Sequence, residues 1–248
     1  METMQVLLVV AVFALAGGVK GITGMGLPTV AMSVLGLWMP PAQAAALLVA
    51  PSLATNVAQC RGPHLRRLAA RLWPGWLAMA VVTVFAPGMG GDASATDSAS
   101  RSLGIVLVGY GLWGLWRPAL PDLSEHGRWV GALAGMATGV VTSLTAVFVL
   151  PWVPYLQSLR FDKDEMVQAL GLSFTVATLA LAFRLQASAS PGWMSASTIV
   201  ATSGALGGAF LGLKLGEVFR GRLAGHAFQK ALFAMFVLLG AANLMRAA

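Results

Sequence analysis

Five long intervals of this chain contain no Asp, Glu, Lys or Arg: residues 21–60, 72–91, 129–159, 166–183 and 185–213. A helix crosses a bilayer with about 20 predominantly apolar residues, so these intervals predict membrane spans. The chain is 57% hydrophobic and 10% charged, too few charges to cover the surface of a soluble domain. A transmembrane β-barrel needs short alternating segments between turns, and none is present. The expected fold class is therefore all-α, a polytopic membrane protein. The first residues, METMQVLLVVAVFALAGG, lack the basic start of a signal peptide and run on into more apolar chain, so they read as the first membrane segment.

Eight hydrophobic blocks can be marked, at 4–38, 42–60, 72–90, 101–117, 129–158, 165–187, 192–213 and 227–246. The first and fifth are too long for one span and are interrupted by small residues. The first carries Gly21-Ile22-Thr23-Gly24-Met25-Gly26-Leu27-Pro28, the fifth Thr142-Ser143-Leu144-Thr145. Glycine and proline weaken helices, and hydroxyls satisfy freed backbone groups, so each block reads as a hairpin or a broken helix. Leu15-Ala16-Gly17 echoes Leu133-Ala134-Gly135, which sets Gly21 opposite Gly139, Gly24 opposite Thr142 and Ser33 opposite Pro151. The expected organisation is two repeats, 1–117 and 129–248, joined by a cytoplasmic linker at 118–128. Each repeat holds one broken helix or hairpin and three spans.

Charge between the blocks orients the halves. If blocks one and five each bring both ends to one side, one face collects 12 basic residues. These are Arg61, Arg66, Arg67, Arg71, Arg117, Arg128, Arg160, Lys163, Lys214, Arg220, Arg222 and Lys230. The other face keeps Arg101, Arg184 and Arg246. Basic loops stay in the cytoplasm, so this arrangement is favoured over single crossings. Five helical pieces per repeat make the repeats inverted, as in many secondary transporters, and place both termini outside the cytoplasm. The same reasoning assigns the net charge of +7 to orientation rather than to nucleic-acid binding. Trp38, Trp73, Trp76, Trp113, Trp116, Trp129, Trp152 and Trp193 mostly fall near span ends, where interfacial anchors belong.

Inverted-repeat carriers bind substrate where broken helices expose backbone groups. Lys20, Gly21, Thr23, Gly24 and Gly26 offer a cation, a hydroxyl and backbone N–H groups, a combination suited to an anion. From the second block, Thr138, Thr142, Ser143 and Thr145 add hydroxyls. The plainer reading is that the glycines serve close helix packing and that Lys20 snorkels to an interface. In block two, Ser52, Thr55, Asn56 and Gln59 recur at three- and four-residue spacing and share one helical face, either lining a cavity or bonding a neighbouring helix. Their counterparts in repeat two are Ser173, Thr175 and Thr178. All nine carboxylates and all three histidines fall in expected loops or at the N-terminus, so a carboxylate proton relay is not expected. A single cysteine, Cys60, excludes an internal disulfide. No nucleophile–base pair, metal cluster or dinucleotide fingerprint is present, so neither enzymatic activity, a metal nor a cofactor is expected.

The stretch KGITGMGLPTVAMSVLGLWMPPAQAAALLVAPSLATNVAQ at 20–59, with its echo GALAGMATGVVTSLTAVFVLPWVPYLQ at 131–157, resembles the sulfite exporter TauE/SafE family of small bacterial membrane permeases. The chain departs from the family pattern at Thr142, Leu144, Thr145 and Ala146, where glycines are expected, and at Ser33, where a proline is common. The resemblance implies transport of a small sulfur-containing anion such as sulfite, thiosulfate or an organosulfonate across the bacterial inner membrane. The expected partners are that anion, the bilayer and a coupling ion, either a proton or sodium. A passive anion channel and a non-transporting accessory subunit are the alternatives.

Overall fold

A computed structural model describes residues 3–88, 93–116, 120–124, 127–187, 196–223 and 225–246. The linker residues 117–119 and 125–126 lie outside that set, as do Glu2, Asp92 and Trp193. The described residues form ten α-helices and no strand. Five are long and apolar enough to cross a membrane, over Met4–Thr23, Leu65–Phe85, Lys163–Ala187, Thr198–Arg222 and His226–Arg246. The molecule is an all-α polytopic membrane protein.

The two long blocks each break into a long helix followed by a short one. In the first, α1 (Thr3–Thr23) precedes α2 (Leu27–Leu35). In the fifth, α6 (Gly127–Thr145) precedes α7 (Trp152–Ser158). Nine residues of α2 rise only about 14 Å, too little to span a bilayer alone. Gly24 and Gly26, at φ 84° and 97°, make the first reversal, and Pro28 sits in the first turn of α2, where a missing N–H costs nothing.

The remaining helices are α3 (Pro41–Gln59), α4 (Leu65–Phe85), α5 (Ala93–Trp116), α8 (Lys163–Ala187), α9 (Ala196–Leu223) and α10 (His226–Arg246). The packing is reciprocal: α1 lies along α9 and α6 along α4, while α3 meets α8 and α5 meets α10. The α1–α9 seam is a run of glycines. A Cβ on Gly21 would stand 2.8 Å from Gly216 Cα, and one on Gly216 would stand 2.9 Å from Gly21 Cα. The α4–α6 seam repeats the device, since a Cβ on Gly139 would stand 2.8 Å from Met79 O. Small residues let backbones touch in a medium that gives apolar side chains no reason to associate.

Hydrogen bonds between elements identify the two ends of the bundle. At one end Gln168 Nε2 donates to Cys60 O (2.9 Å) and Gly62 O (3.0 Å), Arg71 bonds Ser124 O, and Arg220 Nε donates to Gly21 O at 2.9 Å. At the other, Arg184 Nη1 donates to Thr83 O at 2.9 Å, Ser143 reaches Pro87 O, and Arg246 bonds Gly36 O. Of the basic residues assigned to one face, Arg67, Arg71, Arg160 and Arg220 make their bonds at the first end, whereas Arg184 and Arg246 are at the second. Arg117 lies outside the described residues, and nothing is described of the Arg128 side chain.

Three expectations about span ends are corrected. The loops expected at 61–71 and 214–230 are largely helical, because α4 begins at Leu65 and α9 runs to Leu223. Arginine and lysine are good helix formers, so a charge ends the apolar stretch without ending the helix. Glu165, expected in a loop, lies in the first turn of α8, 4% exposed, with Arg67 Nη1 2.5 Å from its Oε1. Trp152 is no interfacial anchor: it is fully buried, its ring tilted against Tyr155 with centroids 5.1 Å apart and filling the space left by Gly75.

Candidate anion site at the first helix break

Lys20 lies one turn before the end of α1 and is 1% exposed. Its Nζ donates to Thr55 Oγ1 at 3.1 Å and to Asn56 Oδ1 on α3. The acceptors are held in place by further bonds. Thr55 sends its own hydroxyl hydrogen to Pro51 O at 2.8 Å, leaving its oxygen to accept. Pro51, inside α3, lacks the N–H that would close the preceding turn and thereby loosens the helix at this point. Asn56 Nδ2 donates to Ser52 Oγ at 3.2 Å and reaches Thr178 Oγ1 on α8 at 3.4 Å. Ser52 and Thr178 hydroxyls are 3.2 Å apart. The polar face expected from Ser52, Thr55, Asn56 and Gln59 thus forms, and it joins Lys20 on one side and α8 on the other.

The break itself seals the cluster. Gln59 Nε2 donates to Gly24 O at 2.8 Å, and its buried Oε1 has no partner among the described residues. Thr23 Oγ1 donates to Val19 O at 2.9 Å and receives the Met25 N–H at 3.3 Å. Gly21 stands inside the helix against α9, so it contributes close packing. Beyond the turn lies a cavity of about 270 Å³ lined by Thr23, Gly26, Tyr110, Trp113, Gln157 and Phe233, among others. Lys20 is not among its lining residues.

The second hydroxyl group expected at the site does not reach it. Thr138, Thr142 and Thr145 are buried and bond the carbonyls four residues back, Ala134, Thr138 and Val141, each at 2.7 Å. Ser143 turns to Val140 O and Pro87 O. They occupy the end of α6, which faces the opposite end of the bundle from the end of α1. Among the described residues no hydrogen bond joins them to the Lys20 cluster.

Thr145 does, however, repeat the turn of Thr23: it receives the Val147 N–H at 3.1 Å, and Ala146 (φ 55°) bonds Thr142 O as Gly24 (φ 84°) bonds Lys20 O. Backbone geometry therefore pairs Gly24 with Ala146 rather than with Thr142. The interval from Thr23 to Thr145 is also the interval from Asn56 to Thr178, and those two side chains meet. Thr178 is the residue of the site that the sequence reading placed only as a counterpart. Its chain position relative to Asn56 is the signal that finds it.

The family model of the sulfite exporter TauE/SafE matches residues 9–243. The chain belongs to the sulfite exporter TauE/SafE family. No curated protein and no solved structure matches it. A TauE/SafE protein is a membrane exporter of sulfite or a related anion, and that coarse activity fits a buried lysine at a helix break.

Proposed function

We propose that this TauE/SafE protein is a secondary transporter of the bacterial inner membrane that carries sulfite, thiosulfate or an organosulfonate by alternating access, with Lys20 as the group that grips the anion. The observation that carries this reading is a lysine 1% exposed whose bonds run to the neutral oxygens of Thr55 and Asn56. The ion pairs among the described residues leave it without a carboxylate, since Glu165 faces Arg67 and His64 while Glu217 faces Lys214. A buried lysine in neutral surroundings can carry its charge only when an anion joins it. In this reading, the substrate lies between the first break and the α3–α8 crossing, and the cavity behind the Thr23–Gly26 turn is its way in once the turn moves. A carrier rather than a channel is favoured because that turn and Gln59 close the cluster off.

In liposomes holding purified protein, Lys20→Met should abolish saturable thiosulfate flux while the variant still folds and inserts. Flux at the wild-type level would remove Lys20 from the mechanism.

The two halves, 1–117 and 129–248, are read as inverted repeats about the contact of Asn56 with Thr178. The reciprocal α1–α9 and α6–α4 pairing and the matched turns support this. The end bearing Arg67, Arg71 and Arg220 is read as cytoplasmic, leaving both termini outside. A cysteine at exposed position 222, in a Cys60→Ala background, should resist impermeant thiol reagents added to intact cells. Labelling from outside would invert the topology.

A further inference from the structure

The donors and acceptors around Lys20 do not balance for an ammonium. An ammonium carries three N–H donors, and two acceptors are in place, Thr55 Oγ1 and Asn56 Oδ1. Both are fixed in that role, because Thr55 donates onward to Pro51 O and Asn56 Nδ2 is turned to Ser52 Oγ. Two acceptors match the two N–H bonds of a neutral amine. The third position belongs to whatever arrives with negative charge. We propose that each anion enters together with one proton, which Lys20 takes up, so that transport is anion–proton symport. This rests on the anion site proposed above and adds the coupling ion.

The step is a proton transfer and an association with no other bond changed: the Lys20 amine, a proton from solution and the anion give an ammonium paired with the anion. Release on the other side returns both. A monovalent anion then crosses as a neutral pair, with no unpaired charge left in the low-dielectric interior.

Among the described residues no carboxylate is paired with Lys20, and the titratable side chain that acts on it is the Cys60 thiol. Among the helices packed on α1, α2 contains no ionisable residue. On α3, Cys60 engages Asn56 O and Thr175 Oγ1, each at 3.4 Å. On α9, Arg220 gives its Nε to Gly21 O and repels an ammonium at Lys20, while Glu217 is held by Lys214 at 3.1 Å. On α8, which meets the cluster through Thr178, Glu165 is taken by Arg67. Charge on Lys20 therefore waits for the ligand.

Calorimetric titration of the purified protein with thiosulfate, in two buffers of different ionisation enthalpy at one pH, counts the protons exchanged. Thiosulfate stays fully ionised near neutral pH, so any uptake is by the protein. The expected result is about one proton taken up per anion bound, as linkage requires for a group that charges on binding. The uptake should persist in Cys60→Ala and His64→Gln and vanish in Lys20→Arg, whose guanidinium is always charged. The wild type alone also decides: affinity should fall about tenfold per pH unit once the free amine predominates. Binding without proton uptake, or uptake that survives Lys20→Arg, overturns the coupling but leaves the anion site standing. Failure of thiosulfate, sulfite and ethanesulfonate all to bind overturns the site and the coupling together.

Discussion

Gly212→Ala should strongly destabilise the protein, whereas Gly207→Ala, five residues earlier on the same helix, should stabilise it slightly. A Cβ at position 212 would be driven into Ala14 O, with Gly18 N 2.8 Å away, whereas a Cβ at position 207 meets nothing within 4 Å. The obstruction at 212 is backbone, which no rotamer change clears, so α1 and α9 must separate. Overpacking of this kind costs about 1–3 kcal/mol, or more where the backbone has to move. At 207 the change adds only helix propensity, up to about 1 kcal/mol. Thermal unfolding in detergent measures both. The reciprocal seam extends the test, since Gly135→Ala would meet Gly75 backbone, with Gly75 Cα at 3.0 Å. Equal melting of Gly212→Ala and Gly207→Ala would show that α1 and α9 are not in backbone contact. The site depends on this seam, because α9 holds α1 where Lys20 can reach α3.

What the sequence made legible was whatever the bilayer itself dictates. Charge-free stretches mark the spans, because an unpaired charge in hydrocarbon is costly. Gly24, Gly26 and Pro28 mark the first break, because a reversal needs positive φ and a helix start tolerates proline. The face from Ser52 to Gln59 followed from helical spacing, and Lys20 from its isolation in an apolar run. The sequence did not reveal that these two belong together, since Lys20 and Asn56 are joined only by the return of the chain through α2. Nor is the second set of hydroxyls brought to the Lys20 cluster. A buried threonine can satisfy itself on the carbonyl four residues back, as Thr138, Thr142 and Thr145 do, so a cluster of threonines announces no site. Ala146 shows why glycine was a poor guide to the second break: its left-handed φ of 55° is held by the bonds around it, at a cost of about 1–2 kcal/mol.

Asn56→Asp should leave the protein folded and remove its transport. Asn56 Oδ1 already accepts from Lys20 Nζ, and aspartate has the same shape, so the substitution places a carboxylate where the amide oxygen now sits. Ser52 Oγ, at 3.2 Å from Asn56 Nδ2, can rotate to donate to the second carboxylate oxygen, so no buried group is left without a partner. Lys20 would then have a permanent counter-ion within its own protein. A substrate anion must displace it, and separating a buried charge pair costs about 3 kcal/mol or more, which corresponds to roughly 100-fold in affinity. Thiosulfate binding should fall by at least that factor while thermal stability holds or rises. Stability that falls together with binding would mark a damaged fold rather than an occupied site. A folded Asn56→Asp protein transporting thiosulfate at the wild-type rate would mean that substrate does not compete for the charge of Lys20. The anion would then have to bind elsewhere, and the aromatic cavity beyond the Thr23–Gly26 turn would be the place to test next.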